Sequence, residues 1–180
     1  MVSLMECMKA CILLVLLVAL LSFSCTKGDL SIVNKDDSET PSTIPTTVNK
    51  TMMLQLVNEV RQKGGQCGDT YYYPVANLSW NNQLEAAAYE HSEDMYTNNY
   101  FDHTAPDGSN GGLRIQRAGY NWFTFGENIA SGYKSEKEVV NGWLLSPGHC
   151  KNIMNKSFKE MGVARVGNIW TQEFAAKSNQ

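Results

Sequence analysis

Apolar side chains recur at helical spacing along two stretches of the chain. In the first, Met53, Leu56, Val57 and Val60 line one face of a predicted helix from Lys50 to Lys63, which Gly64-Gly65 then stops. In the second, Leu84, Ala87, Ala88, His91 and Met95 share a face of a helix predicted from Ser79 to Asn98, so His91 is expected in the core as a structural group. The intervening Gln66 to Leu78 reads as a loop carrying Cys67 and the run Tyr71-Tyr72-Tyr73-Pro74. Partial burial of that loop accounts for the tyrosines; a binding surface is the alternative. After Asn98-Asn99 ends the second helix, Tyr100-Phe101-Asp102-His103 leads into the turn signal Thr104 to Gly108. His103 thus lies in a loop beside a turn, where a rigid scaffold can present a functional imidazole.

The pattern changes in the second half. Gly111-Gly112 precedes a short amphipathic helix, Leu113 to Ala118, with Arg114 and Arg117 expected outward. Phe123 to Ala130 reads as a strand. Ser135, with Glu138 three positions on, forms a capping-box signal for a helix through Val139, Val140 and Trp143 to Leu145, where Pro147 prevents continuation. His149 to Met154 adds a further helical turn. Lys159 to Val166 and Asn168 to Ala175 alternate as two strands joined at Gly167-Asn168. Helices early and strands late predict an α+β fold with an antiparallel sheet.

The N-terminal segment follows neither pattern. Lys9 precedes an apolar run from Cys11 to Phe23, which suits a signal-peptide core and is short for a span needing about 20 residues. The run ends in Ser22-Phe23-Ser24-Cys25, which resembles a bacterial lipoprotein signal with Cys25 as the lipidated residue; ordinary cleavage and secretion is the alternative. Met8 is an alternative start to Met1. Residues 25–48, rich in Ser, Thr, Asp and Pro, have too little apolar surface to offset their ordering entropy and read as a flexible tether.

Composition narrows the classes. At 180 residues and 43% hydrophobic, the chain has room for one packed domain. Its formal net charge is −3 and its basic residues are scattered, so there is no electrostatic footprint for nucleic acid or an anionic membrane. Of five cysteines, Cys7 and Cys11 lie in the signal and Cys25 is the candidate lipid site. Cys67 and Cys150 remain, and in an exported domain one disulfide is the economical reading. A metal site using His149-Cys150 is the other. The sequons at Asn49, Asn77 and Asn155 matter only in a eukaryotic secretory pathway.

Three polar groups stand out for chemistry. Glu127, in Gly126-Glu127-Asn128-Ile129-Ala130, is an acid inside an apolar strand, so it must be paired, metal-bound or raised in pKa. His149 follows the tight turn Ser146-Pro147-Gly148, and His103 follows the second helix. No GxSxG elbow, HExxH helix, phosphate loop or dinucleotide fingerprint is present.

The ordered motifs LVNEVR, LSWNNQLEAAAYEHSEDM, YFDHTAPDG, GENIASG, GWLLSPGHCKNIM, FKEMGVARV and WTQEF, from Met52 to Phe174, resemble the CAP superfamily of cysteine-rich secretory, antigen 5 and pathogenesis-related proteins, in its short bacterial branch. The resemblance implies a three-layer α-β-α sandwich, with signal 1–24, linker 25–48 and CAP domain 49–176. It also implies a central cleft in which His103, Glu127 and His149 match both histidines and the first acid of a family tetrad. The second acid is replaced by Ser146, three residues beyond Trp143. Two imidazoles and one carboxylate are a possible zinc or other divalent-metal site, or a hydrogen-bonded network in which Glu127 fixes the histidine tautomers. The leading expectation is a monomeric, non-enzymatic cell-envelope domain. Its cleft, with Ser146 on the wall, binds a metal and an extracellular small molecule, lipid, glycan or protein. The alternatives are a zinc-assisted hydrolase with Glu127 as general base, a lipid- or sterol-binding module, and an adhesion surface.

Overall fold

The computed structural model describes residues 47–178, so the expected signal, Cys25 and nearly all of the expected tether lie outside the described residues. Helix α1 (Lys50–Lys63) leads through a hairpin, β1 (Gly65–Cys67) and β2 (Thr70–Tyr72), to the two-residue strand β3 (Ser79–Trp80). Helix α2 (Asn82–Asn98) and the short α3 (Gly111–Arg117) precede the long strand β4 (Trp122–Ser131). Helices α4 (Glu136–Leu145) and α5 (Pro147–Ile153) then lead to the closing hairpin of β5 (Glu160–Val166) and β6 (Ile169–Lys177).

Alternation in these strands divides the core. On one face of the sheet, Met161, Val163, Trp170, Phe174 and Ala130 pack with Met53 and Val57 of α1, Val139, Val140 and Trp143 of α4 and Ile153 of α5. On the other face, Leu84 and Ala87 of α2 meet Ile115 of α3 and Ala175 of β6, while Met95 of α2 meets Ile129 and Ile169. The result is a sandwich of α1, α4 and α5, then the sheet, then α2 and α3, as expected for the α+β class. Gly162 of β5 is required here: a Cβ would collide with the backbone of Leu84 and Glu85, so its absence lets α2 seat directly on the sheet.

Three local expectations are corrected. The sheet runs β3-β5-β6-β4, and although β4–β6 and β5–β6 are antiparallel, β3 pairs parallel with β5 through Ser79 and Trp80. Helix α2 starts at Asn82 because the side chain of Asn81 accepts the backbone N–H groups of Gln83 and Leu84, leaving Ser79 to the sheet. The stretch read as a loop contains the β1–β2 hairpin, and Tyr71 and Tyr73 are 52% and 78% exposed instead of partly buried. The disulfide between Cys67 and Cys150 is present, joining this hairpin to α5.

Candidate functional site

Register brings two acids together before any side chain is placed. Glu127 of β4 and Glu173 of β6 are directly paired across the antiparallel ladder, so both project toward the α2 and α3 side. Two helices close over them. Gly111, at the start of α3, makes this possible, since a Cβ there would lie 3.3 Å from Glu127 Oε2 and 3.4 Å from Glu173 Oε1. One turn later Arg114, only 2% exposed, donates from Nη2 to Glu127 Oε2 at 2.6 Å and to the His103 carbonyl at 3.0 Å, and from Nη1 to the Ser109 carbonyl. Arg114 was expected outward. The buried Glu127 carboxylate pulls it inward, because a charge out of water needs a charged partner.

The other oxygen of Glu127 meets His103, whose Nδ1 lies 2.6 Å from Oε1. His91 of α2 is fully buried as expected, with Nε2 at 3.8 Å from the same Oε1, but among the described residues neither of its ring nitrogens has a hydrogen-bond partner. Burial alone would raise the Glu127 pKa. Hydrogen bonds from His103 and Glu173 and the Arg114 charge outweigh burial and hold it at about 2, so Glu127 is a fixed anion. Glu173 is pushed well above the ordinary range, first by burial and then by the Glu127 charge beside it. Its oxygens have no other hydrogen-bond partner among the described residues, so it is a protonated acid whose proton is directed to Glu127. His103 is raised, chiefly by its hydrogen bond to Glu127, and His91 is lowered by burial.

His149 approaches from the opposite side of β4, the edge strand. Its helix, α5, is tied to that edge: Asn152 Nδ2 donates to the Glu127 carbonyl at 3.0 Å and to Asn128 Oδ1 at 2.9 Å, and Asn128 Nδ2 donates to the His149 carbonyl. The His149 pKa is lowered by partial burial and then by the charge of His103, so the two imidazoles sense each other. Of the residues singled out from sequence, the structure joins His103 directly to Glu127 and sets His149 across the strand edge. Ser146 is the junction of α4 and α5, partly buried, and its side chain makes no capping bond.

Two members of the network escaped sequence reasoning, Arg114 and Glu173. Glu173 carried a usable signal, since Trp170-Thr171-Gln172-Glu173-Phe174 places an acid inside an apolar strand just as Glu127 is placed. Among the described residues no three His, Cys, Asp or Glu side chains gather as a metal cluster, and both oxygens of Glu127 are engaged. Beside Glu127, the imidazoles of His103 and His149 are the groups that could hold a metal. His103 turns Nδ1 toward the Glu127 carboxylate, which is placed to orient the ring, so Nε2 is the nitrogen that could take a ligand.

Comparison with known proteins agrees with this architecture. The model of the cysteine-rich secretory protein family, CAP, matches residues 54–174. YkwD of Bacillus subtilis (strain 168) is 35% identical over 158 residues, and the membrane protein YlbC of the same organism is 33% identical over 128 residues. These matches take in 78% and 71% of this chain, which spans 58% of YkwD and 34% of YlbC. Among solved structures, an extracellular protein containing a SCP domain from Bacillus anthracis str. Ames superposes with TM-score 0.63 at 33% identity, covering 71% of this chain and 40% of that one. An outer surface protein from Borrelia burgdorferi shares the fold with TM-score 0.62 at 22% identity, over 74% of this chain and 98% of its own. The chain belongs to the cysteine-rich secretory protein (CAP) family, and the Glu127 network lies within the matched region.

Proposed function

We propose that this chain is an exported, non-enzymatic CAP-domain protein that binds a divalent metal, zinc by preference, through His103 and His149. One observation carries the reading: Glu127 holds His103 Nδ1 at 2.6 Å while the His103 side chain remains 54% exposed. Held in this way, the neutral ring has its lone pair on Nε2, the form that binds zinc or accepts a ligand's hydrogen bond. Zinc, when bound, supplies a Lewis-acidic point for an extracellular ligand. Glu127 orients, Arg114 keeps Glu127 charged, and Glu173 adds a third hydrogen bond to the same carboxylate.

The same geometry weighs against a hydrolase using Glu127 as general base. A base needs a pKa near the working pH and a free lone pair, whereas Glu127 sits at about 2 with both oxygens engaged. Export is supported by the apolar run before Cys25, by the disulfide, and by the extracellular description of the Bacillus anthracis relative. Lipid attachment at Cys25 is part of the proposal, and mass spectrometry of the mature N-terminus tests it.

Zinc calorimetry on the full chain tests the metal reading. Binding in the micromolar range, about −8 kcal/mol, is expected for the parent and is expected to vanish in His103→Ala/His149→Ala. Undiminished binding in the double variant, or no binding in the parent, overturns it.

A further inference from the structure

The tyrosine run lies far from the Glu127 network in role but shares α5 with it, since Lys151 follows His149 by two positions. Tyr71, Tyr73 and Pro74 form one wall of an open groove of about 500 Å³, and Lys151, Asn155 and Lys156 form the other. The rings of Tyr71 and Tyr73 meet at 81° with centroids 5.3 Å apart, a right-angled aromatic corner held in solvent.

The two walls are locked together from beneath. The Cys67–Cys150 disulfide ties the hairpin carrying Tyr71 to the helix carrying Lys151. Arg61, fully buried in α1, donates from Nε to the Ala76 carbonyl and from Nη1 to the carbonyls of Ile153 and Asn155. One guanidinium thus fixes the chain just beyond the tyrosine wall and within the lysine wall, and the groove does not have to be assembled by its ligand. Two large aromatic rings left exposed on such a rigid frame have no role in the core.

We propose that this groove is a binding subsite for an anionic polysaccharide. Its charge is complementary: among the described residues two exposed lysines and no acid line it, in a chain of formal net charge −3, and neither lysine forms a salt bridge there. Its shape is complementary too. The C–H-rich face of a pyranose ring carries partial positive charge and stacks on the negative face of a tyrosine ring, while Asn155 and the phenol oxygens meet sugar hydroxyls. A volume of about 500 Å³ holds a short run of sugar rings, within the roughly 300–1,000 Å³ of small-ligand sites. An acyl chain needs an enclosed apolar wall, and an acidic peptide needs the lysines without the flat rings, so the aromatic corner selects the sugar.

Equilibrium binding of tetragalacturonate to the full chain tests this, with neutral maltotetraose and a hexaglutamate peptide as comparisons. Tetragalacturonate is expected to bind, about tenfold more weakly to Tyr71→Ala/Tyr73→Ala and to Lys151→Ala/Lys156→Ala, the latter with a flatter salt dependence. Maltotetraose and hexaglutamate are expected to bind more weakly than tetragalacturonate. All four substituted side chains are exposed or partly so, and an unchanged unfolding midpoint checks that the fold is kept. Zinc binding at His103 and His149 stays unchanged in both variants, which separates this site from the metal reading. Absence of tetragalacturonate binding, equal binding of hexaglutamate, or full affinity in the tyrosine variant overturns the proposal.

Discussion

Glu173→Gln removes a titrating proton from the centre of the network while keeping the side chain's shape. In the folded chain Glu173 stays protonated well above its ordinary range, because burial and the Glu127 charge both oppose ionisation. In the unfolded chain it ionises normally, near the ordinary value of 4.5. Between that value and the folded one, the native state therefore binds a proton that the unfolded state has released. Stability falls across this window by about 1.4 kcal/mol for each pH unit. Glutamine has no such proton, and its amide N–H can still donate to Glu127. Urea unfolding of both proteins at half-unit steps from pH 4.5 to 8 reads the effect. The variant should match or trail the parent at pH 4.5 and gain on it by about 1.4 kcal/mol per unit until the folded pKa of Glu173 is passed. Both proteins carry the same histidines, so the difference curve isolates position 173. Parallel curves, or a variant that loses ground as pH rises, would refute the protonated-acid assignment.

Arg114→Met should cost about 3–5 kcal/mol in unfolding free energy, because it strands the Glu127 carboxylate in the interior. An NMR titration should place the His103 pKa above its ordinary value, and Glu127→Gln should bring it down, since the hydrogen bond that raises it weakens while partial burial persists. The stability His103 contributes is fully present below its unfolded value of 6.5 and is lost as pH rises through the folded one. Glu127 acts in the opposite sense: its contribution, about 3 kcal/mol from a shift of 4.5 to about 2, holds above pH 4.5 and disappears on acidification toward 2. Reducing the Cys67–Cys150 bond, which spans a separation of 83 residues, should lower unfolding free energy by about 4 kcal/mol. Gly162→Ala should cost about 3 kcal/mol through the collision with α2, measured by the same unfolding assay.

Much of this architecture was written in local pattern. The helical faces of α1 and α2 and the alternation of β5 and β6 follow from periodicity that survives inspection one segment at a time. What escaped was tertiary. Strand β3 has two residues, too few to show a period, and its parallel pairing with β5 depends on where the chain returns after Phe158. Arg114 looked like a surface arginine because its helix is seven residues long, and the acid that draws it inward lies 13 positions away. Glu173 is hidden for a different reason: each acid sits in its own apolar strand, and only the β4–β6 register shows that the two face each other. The motif order carries the family, and the apolar setting of Glu127 shows in the sequence an acid that needs a partner. Its three hydrogen-bond partners do not stand together in the sequence, since they come from a loop, a helix and a neighbouring strand.

The claim on which the functional account depends is that Glu127 fixes the ring of His103. Nitrogen-15 NMR of the imidazoles measures it directly, at a pH above the His103 pKa, with and without zinc. The account predicts that neutral His103 is protonated on Nδ1, that this preference is lost in Glu127→Gln, and that zinc shifts Nε2 of His103 together with a ring nitrogen of His149. A His103 ring protonated on Nε2, or one whose tautomer is indifferent to Glu127→Gln, would contradict it.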